Sequence, residues 1–361
     1  MTVVAQAEAP VKVIISGEHG VVHGAPGIAI ALEPCNKVVV SETAGEPGLE
    51  IKSDRGSVFV KPDGSVEGSE QDKKTFEPFI AVVAYLKSVE GPLPEKYLAA
   101  EIESAHAPKG TGNSASIAAA FALALFKTMG KTPKTGADPS QDELWMAAQA
   151  AEEKAHGGRP SGIDAMTVCH GNTELLRTVE NGQVKWNFTP RPDLSLPSGT
   201  ELLIVDTFKA GERANTGAMV FTVAKSLGLT KIDASGKEVV KPFAEFSEDD
   251  HKQVEPFRKL FEKIEKNLNA KGNLQHLGRA LSENHLLLKK LGASTPDIEK
   301  VVEISRGAGA LGAKLTGAGG NGCAVIVLVE HSKKALVESA IKQAGFSIFE
   351  ARPAGHGARI L

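Results

Sequence analysis

A lysine inside an apolar strand, two carboxylates and three glycine-rich loops are the residues of this chain whose types and spacing could do chemistry. Lys12 sits among Val11, Val13, Ile14 and Ile15, where an unpaired ammonium is costly to bury. Either its stem snorkels from a strand edge, or a carboxylate such as Asp164 pairs with it and its charge stands beside a transferring phosphoryl group. The loop Pro108-Lys109-Gly110-Thr111-Gly112-Asn113-Ser114-Ala115-Ser116 opens an alanine-rich helix. Without Cβ atoms, backbone N–H groups can converge on an anion, helped by the positive end of the following helix. A tight strand-to-helix turn with a Ser or Asn cap fits the same letters. Asp164 ends the turn-rich stretch 156–164, and Glu152 lies one helical turn before His156. Phosphoryl transfer needs one carboxylate to hold Mg²⁺ and one to orient the accepting hydroxyl. Glu152 and Asp164 fit those roles in outline; a solvated glutamate and a helix-capping aspartate are the bland alternative.

The elements that must position these groups are legible in the hydrophobic pattern. Runs at 11–16, 28–32 and 37–41 read as strands, with Val58 and Val60 in another, and 97–102 reads as the strand leading into the loop at 108–112. Between the first two lies a loop with glycine at 17, 20 and 24. Helical spacing covers 76–89, 113–129 and about 141–156. The second of these is apolar on nearly every face and must be buried. Asn181-Gly182 marks a hairpin turn, and the proline-rich stretch 190–197 marks a boundary between lobes 1–196 and 197–361. Beyond it come a strand at 202–205, helices near 254–268, 276–291 and 296–305, the glycine loop 316–322 and a strand at 323–329. The class is α+β, with two lobes meeting at a cleft.

Two familiar nucleotide motifs are set aside. Gly130-Lys131-Thr132 would put the first Walker A glycine at Leu125, inside a helix. The match Gly307-Ala308-Gly309-Ala310-Leu311-Gly312 follows a helix rather than a strand.

The chain has 361 residues, 42% hydrophobic and 24% charged, which is the composition of a globular protein. Its 41 basic and 44 acidic residues give a net charge of -3 with no block of either sign, against a nucleic-acid tail or a membrane-binding patch. Cys35, Cys169 and Cys323 lack metal-ligand spacing and are expected to be reduced core thiols. The N-terminus has no secretory pattern, and the longest apolar run, 117–126, falls short of the ~20 residues of a membrane span. A cytoplasmic protein is expected.

In order and spacing, Lys12, the GEHGVVHG loop, PKGTGNSAS, PSGID and KLTGAGGNG together resemble the GHMP small-molecule kinases. The Gly17-Glu18-His19 and Val21-Val22-His23-Gly24 loop is similar to that of the branch acting on mevalonate. The resemblance covers about 10–329 and implies a two-lobed GHMP kinase fold, with ATP and Mg²⁺ as cofactors. It implies transfer to the C5 hydroxyl of mevalonate, with a homodimer as the assembly. Other acceptors (phosphomevalonate, homoserine, galactose), a decarboxylase on the same fold and a catalytically silent ligand sensor are the competing readings. By resemblance Asp164 and Lys12 are catalytic. Pro108, Lys109, Gly110, Thr111, Gly112, Asn113, Ser114, Ala115 and Ser116 wrap the ATP phosphates. Ser116 and Glu152, with Glu153 as the alternative, are the Mg²⁺ ligands. Glu18, His19, Thr216, Gly317 and Ala318 join Lys12 and Asp164 around the acceptor, while Gly317 to Gly320 close the second lobe on the phosphate loop. The chain departs from the family pattern at Val11, Ser114, Ala115, Gly217 and Asn321, none of which removes the lysine or the aspartate.

Overall fold

The structure is a computed structural model describing residues 1–136, 139–155, 160–209 and 215–361. Its first half contains β1 (Thr2–Ser16), β2 (Gly27–Thr43), β3 (Gly48–Ser53), β4 (Gly56–Val60), β5 (Val66–Glu67), α1 (Glu70–Glu90), β6 (Tyr97–Glu103), α2 (Asn113–Thr128), α3 (Glu143–Ala155) and α4 (Ile163–His170), followed by the hairpin β7 (Thr173–Glu180) and β8 (Gln183–Pro190). The second half begins with β9 (Thr200–Asp206), α5 (Thr216–Ser226), β10 (Thr230–Ile232) and β11 (Glu238–Val240). Then come α6 (Glu248–Gln253), α7 (Glu255–Glu265), α8 (Leu274–Lys290), α9 (Pro296–Gly307), β12 (Gly312–Leu315) and β13 (Val325–Glu330). The chain closes with α10 (Lys334–Gln343), β14 (Ser347–Phe349), β15 (Arg352–Pro353) and β16 (Arg359–Ile360).

Two sheets organise these elements. One runs β16-β1-β2-β6-β3-β4-β5, with β15 and the β7–β8 hairpin also on β2; the other runs β12-β13-β9-β14. The α+β, two-lobed expectation is met, and helix 113–129, the hairpin at Asn181-Gly182 and the later helices stand close to where the pattern put them. Helix α2 is buried from Ala115 to Phe126 on almost every side, as a helix apolar all round must be. It lies against β1 and β2 beside α3.

Three departures matter. The runs at 28–32 and 37–41 are one strand, β2, and residues 2–10, not marked as a strand, complete β1. The register between β1 and β2 shifts at Pro10/Val11, where Pro10 faces Cys35 and Val11 faces Leu32. Extra residues on one strand re-aim the side chains that follow. Ala5, Ala7 and Ala9 therefore pack in the first lobe's core, whereas Val11, Val13 and Ile15 pack in a core shared with Leu202, Ile204 and Ile326 of the second sheet. Lys12 is thereby turned toward the loop before α2 and is fully buried, so the strand-edge snorkel does not apply. Finally, the last ten residues return to the first sheet, β15 pairing with β2 and β16 with β1, although they fall inside the expected second lobe 197–361.

Among the described residues no helix is long and apolar enough to cross a membrane.

Phe257 of α7, 1% exposed, lies beneath Gly20, where an added Cβ would meet its ring at 3.0 Å. Replacing Phe257 with alanine is expected to destabilise the protein by about 3–5 kcal/mol, read from denaturant melts.

Candidate active site

The Lys12 ammonium lies 3.0 Å from Asp164 Oδ1 and donates to the Gly110 carbonyl at 3.1 Å. Its backbone N–H donates to the Thr111 carbonyl at 2.8 Å. One residue of β1 thus holds the glycine loop by main chain and side chain together. The lysine is buried while the aspartate, in the first turn of α4, keeps a quarter of its side chain exposed. The pair therefore opens to solvent on the carboxylate side. Gly112 has φ +68° and a Cβ there would sit 2.7 Å from Lys12 Cε, so only glycine lets α2 begin so close to the ammonium. Thr111 donates from Oγ1 to Pro108 O at 2.6 Å, and Ala324 N donates to Lys109 O at 2.8 Å. The third loop crosses the phosphate loop directly: a Cβ on Gly317 would be 2.7 Å from Gly110 Cα. Lys12 thus touches both Asp164 and the loop that opens α2.

The expected metal ligands are sorted differently. Glu152 is buried and Glu153 is exposed. The hydroxyl facing Glu152 is that of Ser114, whose Oγ donates to Glu152 Oε1 at 2.7 Å. Ser116, the expected ligand, is fully buried, donating to Ala9 O and accepting from Asn36 Nδ2, both at 2.8 Å. It anchors α2 to the sheet. Asn36 also donates to Asn113 Oδ1 at 3.0 Å, so Asn113 and Ser116 share one sheet residue that the sequence did not flag. Ser114 is exposed and Glu152 buried; an alcohol and a carboxylate oxygen in contact beside the glycine loop are hard donors of the kind that Mg²⁺ takes.

On the side expected to take the acceptor, Glu18 is buried, and its Oε2 has no hydrogen-bond partner among the described residues. Its carboxylate is ion-paired with Lys314 of β12, and both side chains have no exposed surface. Lys314 also donates to Ile14 O at 3.2 Å. Burial pushes the Glu18 carboxyl up and the Lys314 ammonium down, and each opposes the other's shift. His19, with φ 59°, places Nε2 2.9 Å from Ala318 O and so joins the first loop to the third. Burial lowers its pKa to about 4 and that of His23 to about 3, so both rings are neutral at pH 7. One nitrogen of each, Nδ1 of His19 and Nε2 of His23, is buried without a hydrogen-bond partner among the described residues. Thr216 opens α5, which Asn215 caps by accepting from Ala218 N at 3.2 Å. Among the described residues no hydrogen bond ties Thr216 to this cleft.

Arg177 of β7 went unnoticed in the sequence. Its guanidinium donates to Pro160 O and Ser161 O at 3.0 and 3.1 Å, just before Asp164, and lies 5.2 Å over the Trp186 ring. Burial lowers its pKa to about 10, and its Nε has no partner among the described residues. Lys314 carried a signal of the same kind as Lys12, a lysine in an apolar run; Arg177, in an alternating hairpin, carried none. An apolar cavity of about 310 Å³ elsewhere is lined by Ile30, Leu194, Leu202 and Ala351 and holds none of these groups.

The Glu18–Lys314 pair yields a stability test. Lys314→Met leaves a buried carboxylate without its partner and is expected to cost about 3–5 kcal/mol. Adding Glu18→Gln should recover most of that loss in the same chemical melts, because the uncompensated charge is then gone.

Comparison with known proteins agrees with this geometry. The family described as "GHMP kinases N terminal domain" matches residues 80–172, and "GHMP kinases C terminal" matches residues 260–347. The chain is 31% identical to the mevalonate kinase of Aeropyrum pernix over 99% of its own length and 98% of the relative's. It is 29% identical to that of Pyrococcus horikoshii, covering 98% and 97%. The fold superposes on a Leishmania major mevalonate kinase solved with R-mevalonate (TM-score 0.69, 24% identity, 98% and 93% covered). It also superposes on a Lactococcus lactis galactokinase solved with galactose (TM-score 0.71, 18% identity, 99% and 95% covered). With a full-length relative at that identity, and with lysine, aspartate and glycine loops arranged as above, the chain belongs to the GHMP kinases, as a phosphotransferase of the mevalonate kinase family.

Proposed function

We propose that this enzyme transfers the terminal phosphoryl group of ATP to the C5 hydroxyl of mevalonate, giving 5-phosphomevalonate and ADP. The observation that carries this reading is the Lys12–Asp164 contact of 3.0 Å beside the glycine loop. The curated relatives named above supply the acceptor, and the fold alone does not, since a galactokinase shares it.

The chemistry asked of the protein is mostly positioning and charge neutralisation, because the transferring group is loosely bonded and strongly anionic in the transition state. Asp164 accepts the hydroxyl hydrogen bond and aligns the oxygen. As the new O–P bond forms, the bond from the γ-phosphorus to the bridging oxygen of ADP breaks. The hydroxyl proton leaves toward Asp164. Lys12, 3.0 Å from that carboxylate, sets a positive charge beside the phosphoryl oxygens. The N–H groups at the start of α2 take the other phosphate oxygens. Ser114 and Glu152 fit Mg²⁺, which when bound would screen the phosphate charge. Mevalonate carries a carboxylate at the end remote from C5, and Arg177, with Nε unpartnered, is the cation placed to take it. The neutral His19 and His23 offer ring nitrogens to its tertiary hydroxyl without adding charge.

An assay of ADP release over mevalonate, phosphomevalonate, homoserine and galactose tests the proposal. Turnover is expected with mevalonate alone, and Asp164→Asn should lower it by about 10²–10⁴-fold. Activity confined to another acceptor, or an Asp164→Asn variant near wild type, would overturn the reading. Arg177→Met should raise the KM for mevalonate by about 10- to 100-fold while leaving the KM for ATP near wild type, measured by varying each substrate separately.

A further inference from the structure

We propose that Glu8, Cys35 and His356 form a binding site for a divalent metal ion of zinc type, built from residues other than Ser114 and Glu152, that fastens the C-terminal tail to the first sheet. The three come from β1, β2 and the segment between β15 and β16, and one ligand atom of each lies within 4.8 Å of the others. No sequence spacing could have shown this, since the donors are separated by 26 and 320 residues or more and only strand pairing and the returning tail unite them.

The imidazole geometry is the strongest observation. His356 Nδ1 lies 2.7 Å from the Gly357 carbonyl. A carbonyl only accepts, so Nδ1 carries the proton and Nε2 presents its lone pair. That Nε2 is buried and has no hydrogen-bond partner among the described residues. A ligating histidine shows the same division of labour, one nitrogen held by a backbone carbonyl and the other left for the metal.

The tail that carries this ring is fixed on both sides. Ala354 N donates to Ala31 O and Ala358 N to Cys169 O, each at 3.0 Å, and Leu361 N donates to Gln6 O at 2.9 Å. Close packing leaves no room for a side chain at 357, where a Cβ would lie 2.2 Å from Cys169 O. Both contacts of Arg359 with Glu8, at 2.8 and 2.6 Å, are to Oε1. Glu33 Oε1, 3.7 Å from His356 Nε2, stands ready as a further oxygen donor. Sulfur, imidazole nitrogen and carboxylate oxygen together suit Zn²⁺ and not Mg²⁺. Donor atoms in a tetrahedral zinc site lie roughly 3.3–3.8 Å apart given its bond lengths, so the trio has only to draw in by side-chain rotation. Arg352, which donates to Glu33 Oε2 at 2.7 Å, and Arg359 moderate the negative charge that gathers there.

The test uses the full chain stripped by a chelator and titrated with Co²⁺. Wild type is expected to develop a thiolate-to-cobalt charge-transfer band, saturating at about one ion per chain, that Zn²⁺ abolishes and Mg²⁺ leaves in place. Cys35→Ser should lack the band, and His356→Gln should retain no Zn²⁺ after desalting when metal is counted by mass spectrometry. Zn²⁺ should also raise the Tm of wild type and leave that of Cys35→Ser unchanged. Absence of the band in wild type, or equal Zn²⁺ retention by wild type and the serine variant, would overturn the proposal. The serine substitution keeps the side chain's size, so a folding failure of His356→Gln would not obscure the answer.

Discussion

A single buried ammonium organises the catalytic half of this molecule. Lys12 has no exposed surface, and an unpaired charge in such a place would cost several kcal/mol. Its stability therefore requires partners that cannot be optional: Asp164 at 3.0 Å and the Gly110 carbonyl at 3.1 Å. Because those partners come from α4 and from the glycine loop, satisfying one lysine fixes the carboxylate and the loop backbone relative to each other. The bulge at Pro10/Val11 is what points the lysine that way. The energetic demand of burial and the geometric demand of catalysis are met by the same contacts.

A second buried pair does for the lobes what the first does for the site. Lys314 reaches from β12 to Glu18 and to the Ile14 carbonyl, and Thr316 accepts from Ile14 N at 2.9 Å. These links stitch the second lobe to β1 only two residues from Lys12. They also carry the third glycine loop to the point where Gly317 meets Gly110. His19, bonded to Ala318 O, closes the same seam from the first loop. Glu18, expected to face the acceptor, anchors this loop through Lys314 with one carboxylate oxygen and leaves the other without a partner among the described residues. Buried ion pairs are poor sources of net stability, and here each joins two segments where they cross.

Sequence reading reached the parts of this design that are local. Helix α2 was visible because its burial leaves an apolar face in every direction, and the β7–β8 turn because Asn181 and Gly182 both adopt positive φ. Lys12 stood out because a charge in an apolar strand needs an explanation. The continuity of β2 was hidden by Glu33-Pro34-Cys35-Asn36, four residues that read as a break and instead span the irregularity in pairing with β1. Arg177 was hidden for another reason: on a hairpin of mixed polarity a lone arginine looks like solvated surface. The cluster of Glu8, Cys35 and His356 could not be read at all, because its members meet only when the tail returns.

The two serines at the start of α2 show where matching letters to a motif stops being reliable. Successive residues of a helix are rotated by about 100°, so two positions apart point in nearly opposite directions. Ser114 and Ser116 both lie in the first turn of α2, and only one of them can face Glu152. Which one is decided by where the helix begins, and Gly112, held in a left-handed conformation against Lys12, sets that origin. Ser116 then points back at the sheet, where Ala9 and Asn36 take its hydroxyl, and Ser114 points to the carboxylate. The same rotation separates the buried Glu152 from the exposed Glu153. With serine rather than glycine at 114, a hydroxyl on this turn reaches Glu152, whatever stands at 116.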